Sequence, residues 1–340
     1  MLRKLFSKLG RNLAMDLGTA NTLLYTREDG IILNEPSVVA LDSERNNILA
    51  VGAEAKEFLG RTPHKIVAVR PMKDGVIADF EVTKRMISFF IRKALNGPGI
   101  FKPNIVICVP TGITQVEKRA VIEAAHQAGT HNVRLVEEPM AAAIGANLPI
   151  HEPIGNLVVD IGGGTTEVAV ISLSAIAYSE SVRVAGDAMN TAVQRYFQEE
   201  FQLMIGENMA ERVKIAIGSA YPPAAPMSID VPGKDLLTGT PKAIHVTDGH
   251  IREALAEPVR IIVQAVRKAL DKTPPELAGD ILNNGVLMAG GGSLLKGLDT
   301  LLFNETRLKI VVDEHPLTTV VRGTGKTLDD LKFYEDVFIN

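Results

Sequence analysis

The stretch LAMDLGT at residues 13–19 is the clearest indication of the fold, because the second half of the chain repeats its pattern. At residues 157–165 the sequence LVVDIGGGT again has an apolar run, then aspartate, an apolar residue, glycine and threonine. Each stretch leads into a second apolar run, at residues 22–25 and 168–171. A strand, a glycine turn carrying aspartate and a returning strand form the pattern of a β-hairpin. The repeat predicts two similar lobes, with a chance match of the common D-x-G pattern as the minor alternative.

Length and composition are those of a globular protein with two domains or two lobes. The chain has 340 residues, of which 46% are hydrophobic and 22% charged, so it can bury a sizeable core. Its single cysteine, Cys108, excludes a disulfide scaffold and a Cys-based zinc cluster. The apolar neighbours of Cys108 favour a buried strand residue over a nucleophile. A net charge of −4 argues against nucleic acid as a partner.

Helical and strand patterns alternate along the chain, which predicts an α/β protein. The clearest helix is predicted over residues 114–128, with Thr114 as N-cap and Glu117 completing a capping box. Further helices are predicted over residues 82–95, 139–145, 188–204, 209–217 and 250–270. Strands are predicted near residues 12–17, 21–26, 37–42, 104–109, 133–136, 156–161, 167–172 and 176–184.

Three glycine-containing turns, each after an apolar strand, suit a nucleotide. Glycines let backbone N–H groups approach phosphate oxygens, and consecutive N–H groups form an anion-binding nest. Asp16 and Asp160, at the ends of the strands before two of the turns, can hold a magnesium ion directly or through water. The third run, at residues 289–293, can pass close to an adenosine.

One further glycine motif is predicted to have no part in nucleotide binding. Gly325-Lys326-Thr327 looks like the end of a P-loop, but Val320 stands where that motif needs glycine. We therefore expect a loop-to-helix junction at this point.

These motifs resemble, in their order, those of the actin/Hsp70/sugar-kinase ATPase superfamily. The matching strings are DLGTANT at 16–22, EEPMAAA at 137–143, DIGGGTTE at 160–167 and GGGS at 290–293. Three more strings resemble the MreB family of bacterial actins, which determine rod shape: NEPSVVA at 34–40, RPMKDGVIADFE at 70–81 and LPIHEP at 148–153. The resemblance covers about residues 10–330.

The resemblance implies an actin-like ATPase fold, in which two duplicated α/β lobes with four subdomains surround a nucleotide cleft. The expected boundaries are 1–11 for a membrane-binding segment, 12–32, 67–147 and 313–340 for subdomain IA, 33–66 for IB, 148–182 and 245–312 for IIA, and 183–244 for IIB.

The resemblance also implies a role for each residue of an ATP and magnesium site. Asp16 and Asp160 are expected to organise the Mg²⁺ ion, Glu138 to polarise the attacking water, and Thr165 to help place that water. The expected nucleotide contacts are Gly18, Thr19, Ala20, Asn21, Gly162, Gly163 and Gly164 for the phosphates, Glu211 and Lys214 for the ribose and adenine, and Gly290, Gly291, Gly292 and Ser293 for the adenosine.

Several of these residues have an ordinary structural alternative. Glu138 also suits a helix N-terminus, where the dipole stabilises a carboxylate. Glu211 and Lys214 are spaced as an everyday surface ion pair, and Thr165 can be a simple turn residue.

The N-terminal segment has the pattern of a helix that lies in the plane of a membrane. On a helix, the apolar side chains share one face and the basic ones occupy the opposite face. The apolar face consists of Leu2, Leu5, Phe6, Leu9 and Leu13, and the basic face of Arg3, Lys4, Lys8 and Arg11. The alternative is a segment that packs on its own domain. Ile100 and Phe101 are a candidate second membrane contact, since MreB relatives have a hydrophobic loop here.

Together the motifs and the resemblance predict an ATPase that binds ATP and ADP and polymerises in the cytoplasm, on the inner face of the cytoplasmic membrane. By resemblance its partners are copies of itself, the lipid surface and membrane proteins of cell-wall elongation, and its role is to guide cell-wall synthesis and maintain rod shape. Two other classes stay open: a soluble small-molecule kinase and a membrane-bound adaptor that binds ATP without forming filaments. The amphipathic N-terminus argues against the kinase, and sedimentation with ATP and magnesium separates polymer from adaptor.

Overall fold

The computed structural model describes residues 12–42, 44, 47–60, 65–73, 75–95 and 102–339. The predicted membrane contacts Leu2, Leu5, Phe6 and Leu9, and also Ile100 and Phe101, lie outside these residues, so both contacts stay predictions. Within the described ranges, the helices are all too short or too polar to cross a membrane.

Eighteen strands are found among the described residues. In chain order they are β1 (Leu13–Leu17), β2 (Asn21–Thr26), β3 (Gly30–Pro36), β4 (Val39–Asp42), β5 (Ile48–Val51), β6 (Ile66–Val69), β7 (Met72–Lys73), β8 (Val76–Ile77), β9 (Ile105–Val109), β10 (Val133–Glu137), β11 (Asn156–Ile161), β12 (Thr166–Ser172), β13 (Ala175–Val182), β14 (Leu203–Met204), β15 (Ser228–Asp235), β16 (Pro241–Thr247), β17 (Val286–Ala289) and β18 (Ile310–Val312).

Ten α-helices are described between and after these strands. They are α1 (Ala53–Phe58), α2 (Phe80–Leu95), α3 (Gln115–Gln127), α4 (Glu138–Gly145), α5 (Gly186–Phe201), α6 (Glu207–Ile217), α7 (Asp248–Lys272), α8 (Pro275–Asn284), α9 (Leu298–Thr306) and α10 (Thr319–Thr327). Short 3₁₀ helices lie at Gly291–Leu294, between β17 and α9, and at Glu335–Val337, after α10.

The chain divides into two compact units. The described residues of the first unit come from 12–154, 171–177 and 317–339, and the second unit consists of 155–170 and 178–316. Each unit has its own hydrophobic core, one around β1, β9 and α2 and the other around β11, β17 and α7. The finer division into four subdomains stays a prediction.

The main sheet of the first unit has the strand order β10-β9-β1-β2-β3. β1 and β10 both run parallel to β9, whereas β2 is antiparallel to β1 and β3. β9 is buried along its whole length, as the continuous apolar run from Ile105 to Val109 requires. The carboxyl ends of β1, β9 and β10 therefore meet at one edge of the sheet.

The second main sheet repeats this arrangement, with the order β13-β12-β11-β17-β18. β11 takes the place of β1, because it precedes a hairpin on one side and pairs in parallel with β17 on the other. β18 extends this sheet in parallel, as β10 extends the first. The match confirms the predicted α/β fold with two duplicated lobes.

Two three-stranded sheets follow a different pattern from the main ones. β5, β4 and β6 form one of them, and β14, β15 and β16 form the other. Both are antiparallel throughout.

The helix predicted over residues 114–128 is found with its predicted capping signal, as α3 after the N-cap Thr114. The N–H of Glu117 donates to Thr114 Oγ1 at 3.3 Å and the N–H of Thr114 donates to Glu117 Oε2 at 2.9 Å, which confirms the capping box of α3. The helix predicted over 188–204 instead ends at Phe201. Gln202 adopts a left-handed conformation there, and the next two residues pair with β15 as β14.

The Gly325-Lys326-Thr327 motif lies in the last turn of α10, so the predicted loop-to-helix junction is wrong. Lys326 Nζ donates to the carbonyl oxygens of Ile144 and Gly145 at 2.9 and 2.7 Å. These carbonyls end helix α4, where a cation is favourable. The lysine therefore helps to cap a helix from 182 residues away in the sequence.

Candidate functional site

The β1–β2 hairpin of the first unit carries a turn that only glycine can form. A Cβ atom on Gly18 would lie 2.6 Å from the carbonyl oxygen of Asn21, too close for any other residue. Thr19 follows and is buried, and its Oγ1 accepts a hydrogen bond from the N–H of Gly75 at 3.3 Å. The predicted phosphate contacts Gly18, Thr19, Ala20 and Asn21 thus form one compact turn.

Asp16 is placed at the end of β1, beside Cys108 of β9 in the sheet register. The thiol of Cys108 donates to Asp16 Oδ1 at 3.3 Å. Burial raises the pKa of Asp16 to about 6, although this hydrogen bond lowers it. The pKa of Cys108 is raised well above its usual value, chiefly by burial, so the thiol keeps its proton. The prediction of a buried strand cysteine is confirmed, and Cys108 has the added role of a donor to Asp16.

Glu138 lies at the same edge of the sheet as Asp16. Val136 of β10 stands next to Cys108 in the sheet register, and Glu138 follows two residues later as the first residue of α4. The carboxylates of Asp16 and Glu138 both raise the pKa of Cys108, which places both near the thiol. Glu138 is half-buried and is the first residue of a helix, as its structural alternative predicts, and its role toward the attacking water stays a prediction.

The hairpin of the second unit lies against the start of α5. The N–H of Gly162 donates to the carbonyl of Thr165 at 2.9 Å and closes the turn. The N–H groups of Gly186 and Asp187, in the first turn of α5, donate to the carbonyls of Gly162 and Gly163 at 3.2 and 2.8 Å. The turn is therefore attached to a helix N-terminus, which is an electrostatically favourable place for an anion.

The adenosine turn predicted at residues 290–293 packs directly on the end of β11. Gly290 has a φ of 76°, and a Cβ there would overlap Ile161 O and Asp160 Oδ1. The hydroxyl of Ser293 donates to the carbonyl of Gly290 at 2.6 Å, so this buried side chain stabilises the turn from within. Asp160, Gly290 and the neighbouring glycines are thus brought together at one edge of the second sheet.

Lys214 connects helix α6 to the same hairpin. Its Nζ donates to the carbonyl of Gly186 at 3.0 Å, and Gly163 Cα lies near the same point. Glu211 precedes Lys214 by one helical turn on α6. The family resemblance predicts a nucleotide contact for Glu211 and Lys214, whereas the sequence contains no signal for the contact of Lys214 with Gly186.

The carboxylates of Asp16 and Asp160 are suited to a magnesium ion that also binds phosphate. Among the described residues, no group of three or more His, Cys, Asp and Glu side chains can hold a metal ion alone. Mg²⁺ normally takes one or two carboxylates together with waters and substrate phosphates. Asp16 suits such a site, because its half-buried carboxylate is poorly solvated when charged. It also lies beside a glycine turn.

The chain is similar to known proteins over almost its whole length. The sequence model of a family described as MreB/Mbl protein matches residues 10–336. The chain is 51% identical to the cell shape-determining protein MreB of Escherichia coli strain K12, over 97% of this chain and 96% of the relative. It is 50% identical to the cell shape-determining protein Mbl of Bacillus subtilis strain 168, over 94% of this chain and 96% of that protein.

Solved structures show the same fold. The crystal structure of MreB5 of Spiroplasma citri bound to ADP superposes with a TM-score of 0.91 at 33% identity and covers 97% of this chain and 99% of that one. The MamK double helical filament has a TM-score of 0.81 at 22% identity, over 94% and 99% of the two chains, which supports the fold alone. The fold is therefore actin-like.

Proposed function

Because the chain belongs to the MreB/Mbl family of cell shape-determining, actin-like proteins, we propose that it binds and hydrolyses ATP and polymerises on the inner face of the cytoplasmic membrane. One observation carries the nucleotide part of this proposal. In each of the two duplicated sheets, a central strand has an aspartate as its last residue but one, Asp16 in β1 or Asp160 in β11, and a tight glycine hairpin follows. The S. citri relative was crystallised with ADP and with AMPPNP, which supports ATP and ADP as the ligands.

The backbone N–H groups of the two hairpins supply donors for phosphate oxygens, and the helix N-terminus beside Gly163 adds a favourable dipole. Asp16 and Asp160 are the proposed magnesium ligands, directly or through water. When bound, Mg²⁺ neutralises charge on the phosphates, which phosphoryl transfer requires. Lys214 holds the start of α5 in place against the second hairpin.

Glu138 is the proposed residue that orients the attacking water, with Thr165 helping to place it. Phosphoryl transfer to water depends on positioning more than on covalent chemistry, so a carboxylate at the right place is sufficient. The remaining proposed nucleotide contacts are Glu211, Lys214, Gly290, Gly291, Gly292 and Ser293.

The cellular part of the proposal has separate support. Self-association is proposed because the chain belongs to the MreB/Mbl family, whose resemblance to bacterial actins implies polymerisation. Membrane binding rests on the amphipathic pattern of residues 2–9. The membrane proteins of cell-wall elongation are proposed as partners from the family resemblance alone.

Phosphate release by a Glu138→Ala variant tests the proposed reaction. We expect this variant to bind ATP with the affinity of the wild type but to release almost no phosphate, because it cannot orient the water. Glu137→Ala is the matched control, since it removes the neighbouring carboxylate and should keep most of the activity. Phosphate release from Glu138→Ala at the wild-type rate would refute the role of Glu138.

Sedimentation of the wild-type chain with ATP and magnesium tests polymerisation in the same preparation. Pelleting that depends on ATP supports a filament. Binding of ATP without pelleting indicates the adaptor instead, and transfer of phosphate to an added small molecule indicates the kinase.

A further inference from the structure

The string NEPSVVA at residues 34–40 has no part in the proposed reaction, yet it lies directly behind the first hairpin. Ser37, which follows β3, is fully buried. Its hydroxyl donates to the carbonyl oxygen of Gly18 at 2.7 Å, and its backbone N–H donates to the carbonyl of Ala20 at 2.9 Å. One residue therefore holds two carbonyl groups of the same turn.

Two further hydrogen bonds join the hairpin to this string. Thr22 Oγ1 lies 3.0 Å from Ser37 Oγ in a buried position. Because the single hydroxyl proton of Ser37 goes to Gly18, Thr22 must be the donor in this second bond. The side-chain amide of Asn21 also donates to Asn34 Oδ1 at 3.1 Å. The hairpin is thus joined to the string at its backbone and at its side chains.

The orientation of the peptide groups follows from these bonds. The peptides Gly18–Thr19 and Ala20–Asn21 are trans, so each N–H points away from the carbonyl of the same peptide. Since both carbonyls face Ser37, the N–H groups of Thr19 and Asn21 face the opposite side of the turn. We propose that Ser37 is a positioning residue, which orients these two N–H groups toward the phosphates of a bound nucleotide. The inference rests on the proposed nucleotide site and adds a residue to it.

In the second unit, a different hydrogen-bond donor holds the equivalent carbonyl group. Gly162 stands two residues after Asp160, as Gly18 stands two residues after Asp16, and its carbonyl is also held from behind. There the donor is the N–H of Gly186 in the first turn of α5. In the first unit the chain passes from β3 into β4, and the serine hydroxyl supplies the bond that a helix N–H supplies in the second.

A comparison of ADP with adenosine on a Ser37→Ala variant tests the proposal. Alanine keeps the backbone bond to Ala20 but removes the hydroxyl bond to Gly18. We expect the affinity for ADP to fall about tenfold, which matches the net contribution of one hydrogen bond. The affinity for adenosine should stay unchanged, because adenosine has no phosphate to contact the hairpin.

The matched control is Thr324→Val. The hydroxyl of Thr324 is also buried, but it donates to Val320 O at 2.9 Å within its own helix. The control should leave the affinities for both ligands unchanged. Thr22→Val is a milder second variant, in which Ser37 keeps its bond to Gly18 but loses its own donor. It should weaken ADP binding in the same direction and by less, which keeps the test valid if Ser37→Ala does not fold.

The outcomes separate the two proposals. A wild-type chain that binds neither ADP nor ATP contradicts the proposed function and, with it, the role of Ser37. If the wild type binds ADP, two results overturn the role of Ser37 alone. In the first, the variants bind ADP as tightly as the wild type; in the second, they lose ADP and adenosine affinity equally, as a general loss of structure would cause.

Discussion

At the scale of single residues, Asp16 shows a conflict between folding and function. Its carboxylate is half-buried beside Cys108, and burial raises its pKa to about 6. A magnesium ligand must be ionised, so at neutral pH the chain keeps a charge that is poorly solvated before the nucleotide binds. The residue that prepares the site therefore lowers the stability of the nucleotide-free protein.

We predict that Asp16→Asn stabilises the nucleotide-free chain at pH 7.5 and weakens its magnesium-dependent binding of ADP. The unfolded aspartate has a pKa of 3.8 and the folded one about 6, so the folded chain binds more protons between these values. The free energy of unfolding contributed by Asp16 therefore decreases as the pH rises through this window. Two pKa units correspond to about 3 kcal/mol, which is the upper limit of the gain in urea unfolding.

The same variant at lower pH is its own control. As the pH falls toward 4, Asp16 becomes protonated in the folded wild type, and the advantage of asparagine should shrink. An equal gain at pH 5 and pH 7.5 would show that the burial of charge is not its cause.

At the scale of elements, the contact between α4 and α10 determines where the helix that begins with Glu138 lies. A Cβ on Gly145 would overlap the carbonyl of Thr319, and a Cβ on Gly323 would overlap that of Ala141. The two helices approach so closely because glycine and alanine occupy the contact. Lys326 adds hydrogen bonds to the end of α4. The contact between α4 and α10 thus fixes the position of the helix that begins with Glu138.

We predict that Gly323→Ala lowers the free energy of unfolding by about 2–3 kcal/mol, because the added methyl group forces the helices apart. The matched control is Gly279→Ala in α8, where a Cβ meets no atom within 4 Å. Alanine there should stabilise the chain by about 0.5–1 kcal/mol through helix propensity. Urea unfolding of both variants measures the difference, and equal effects would contradict a steric cause.

At the scale of the whole molecule, charge is distributed unevenly. Residues 1–11 hold four basic and no acidic residues, although the whole chain has a net charge of −4. The rest of the chain therefore carries −8. Basic residues beside an apolar helix face favour an anionic lipid surface. One such short segment binds weakly, and many of them on one polymer gain strength through avidity.

We predict that deletion of residues 2–9 abolishes co-sedimentation with anionic liposomes and leaves ATP binding intact. The double variant Leu5→Glu and Phe6→Glu should act likewise, because two carboxylates would enter the lipid face. Val116→Glu is the matched control, since it places a carboxylate at another exposed apolar position, where the first turn of α3 accepts a negative charge. High salt should weaken wild-type binding only in part, because screening removes the electrostatic contribution alone.

Two outcomes of this experiment would contradict the membrane segment. If the truncated chain still pellets fully with liposomes, the contact lies elsewhere, and Ile100 and Phe101 become the leading candidates. If the truncated chain unfolds or loses ATP, the segment belongs to the core.

The features that could be predicted from the sequence depend on residues close together along the chain. The Asp16 and Asp160 hairpins follow from apolar runs around a glycine turn, and the capping box of α3 from the spacing of Thr114 and Glu117. Their partners lie within a few residues, so local spacing is sufficient to specify the bonds. The duplication of the two hairpins also made the two-lobed fold predictable.

The contacts that support these hairpins could not be predicted from the sequence, because they join residues far apart along the chain. Ser37 reaches Gly18 across 19 residues, Cys108 reaches Asp16 across 92, and Lys326 reaches the end of α4 across 182. Which side chain faces which carbonyl there depends on strand register and helix packing. A shift of one residue in a strand turns every side chain to the opposite face, so a linear pattern cannot specify such a bond.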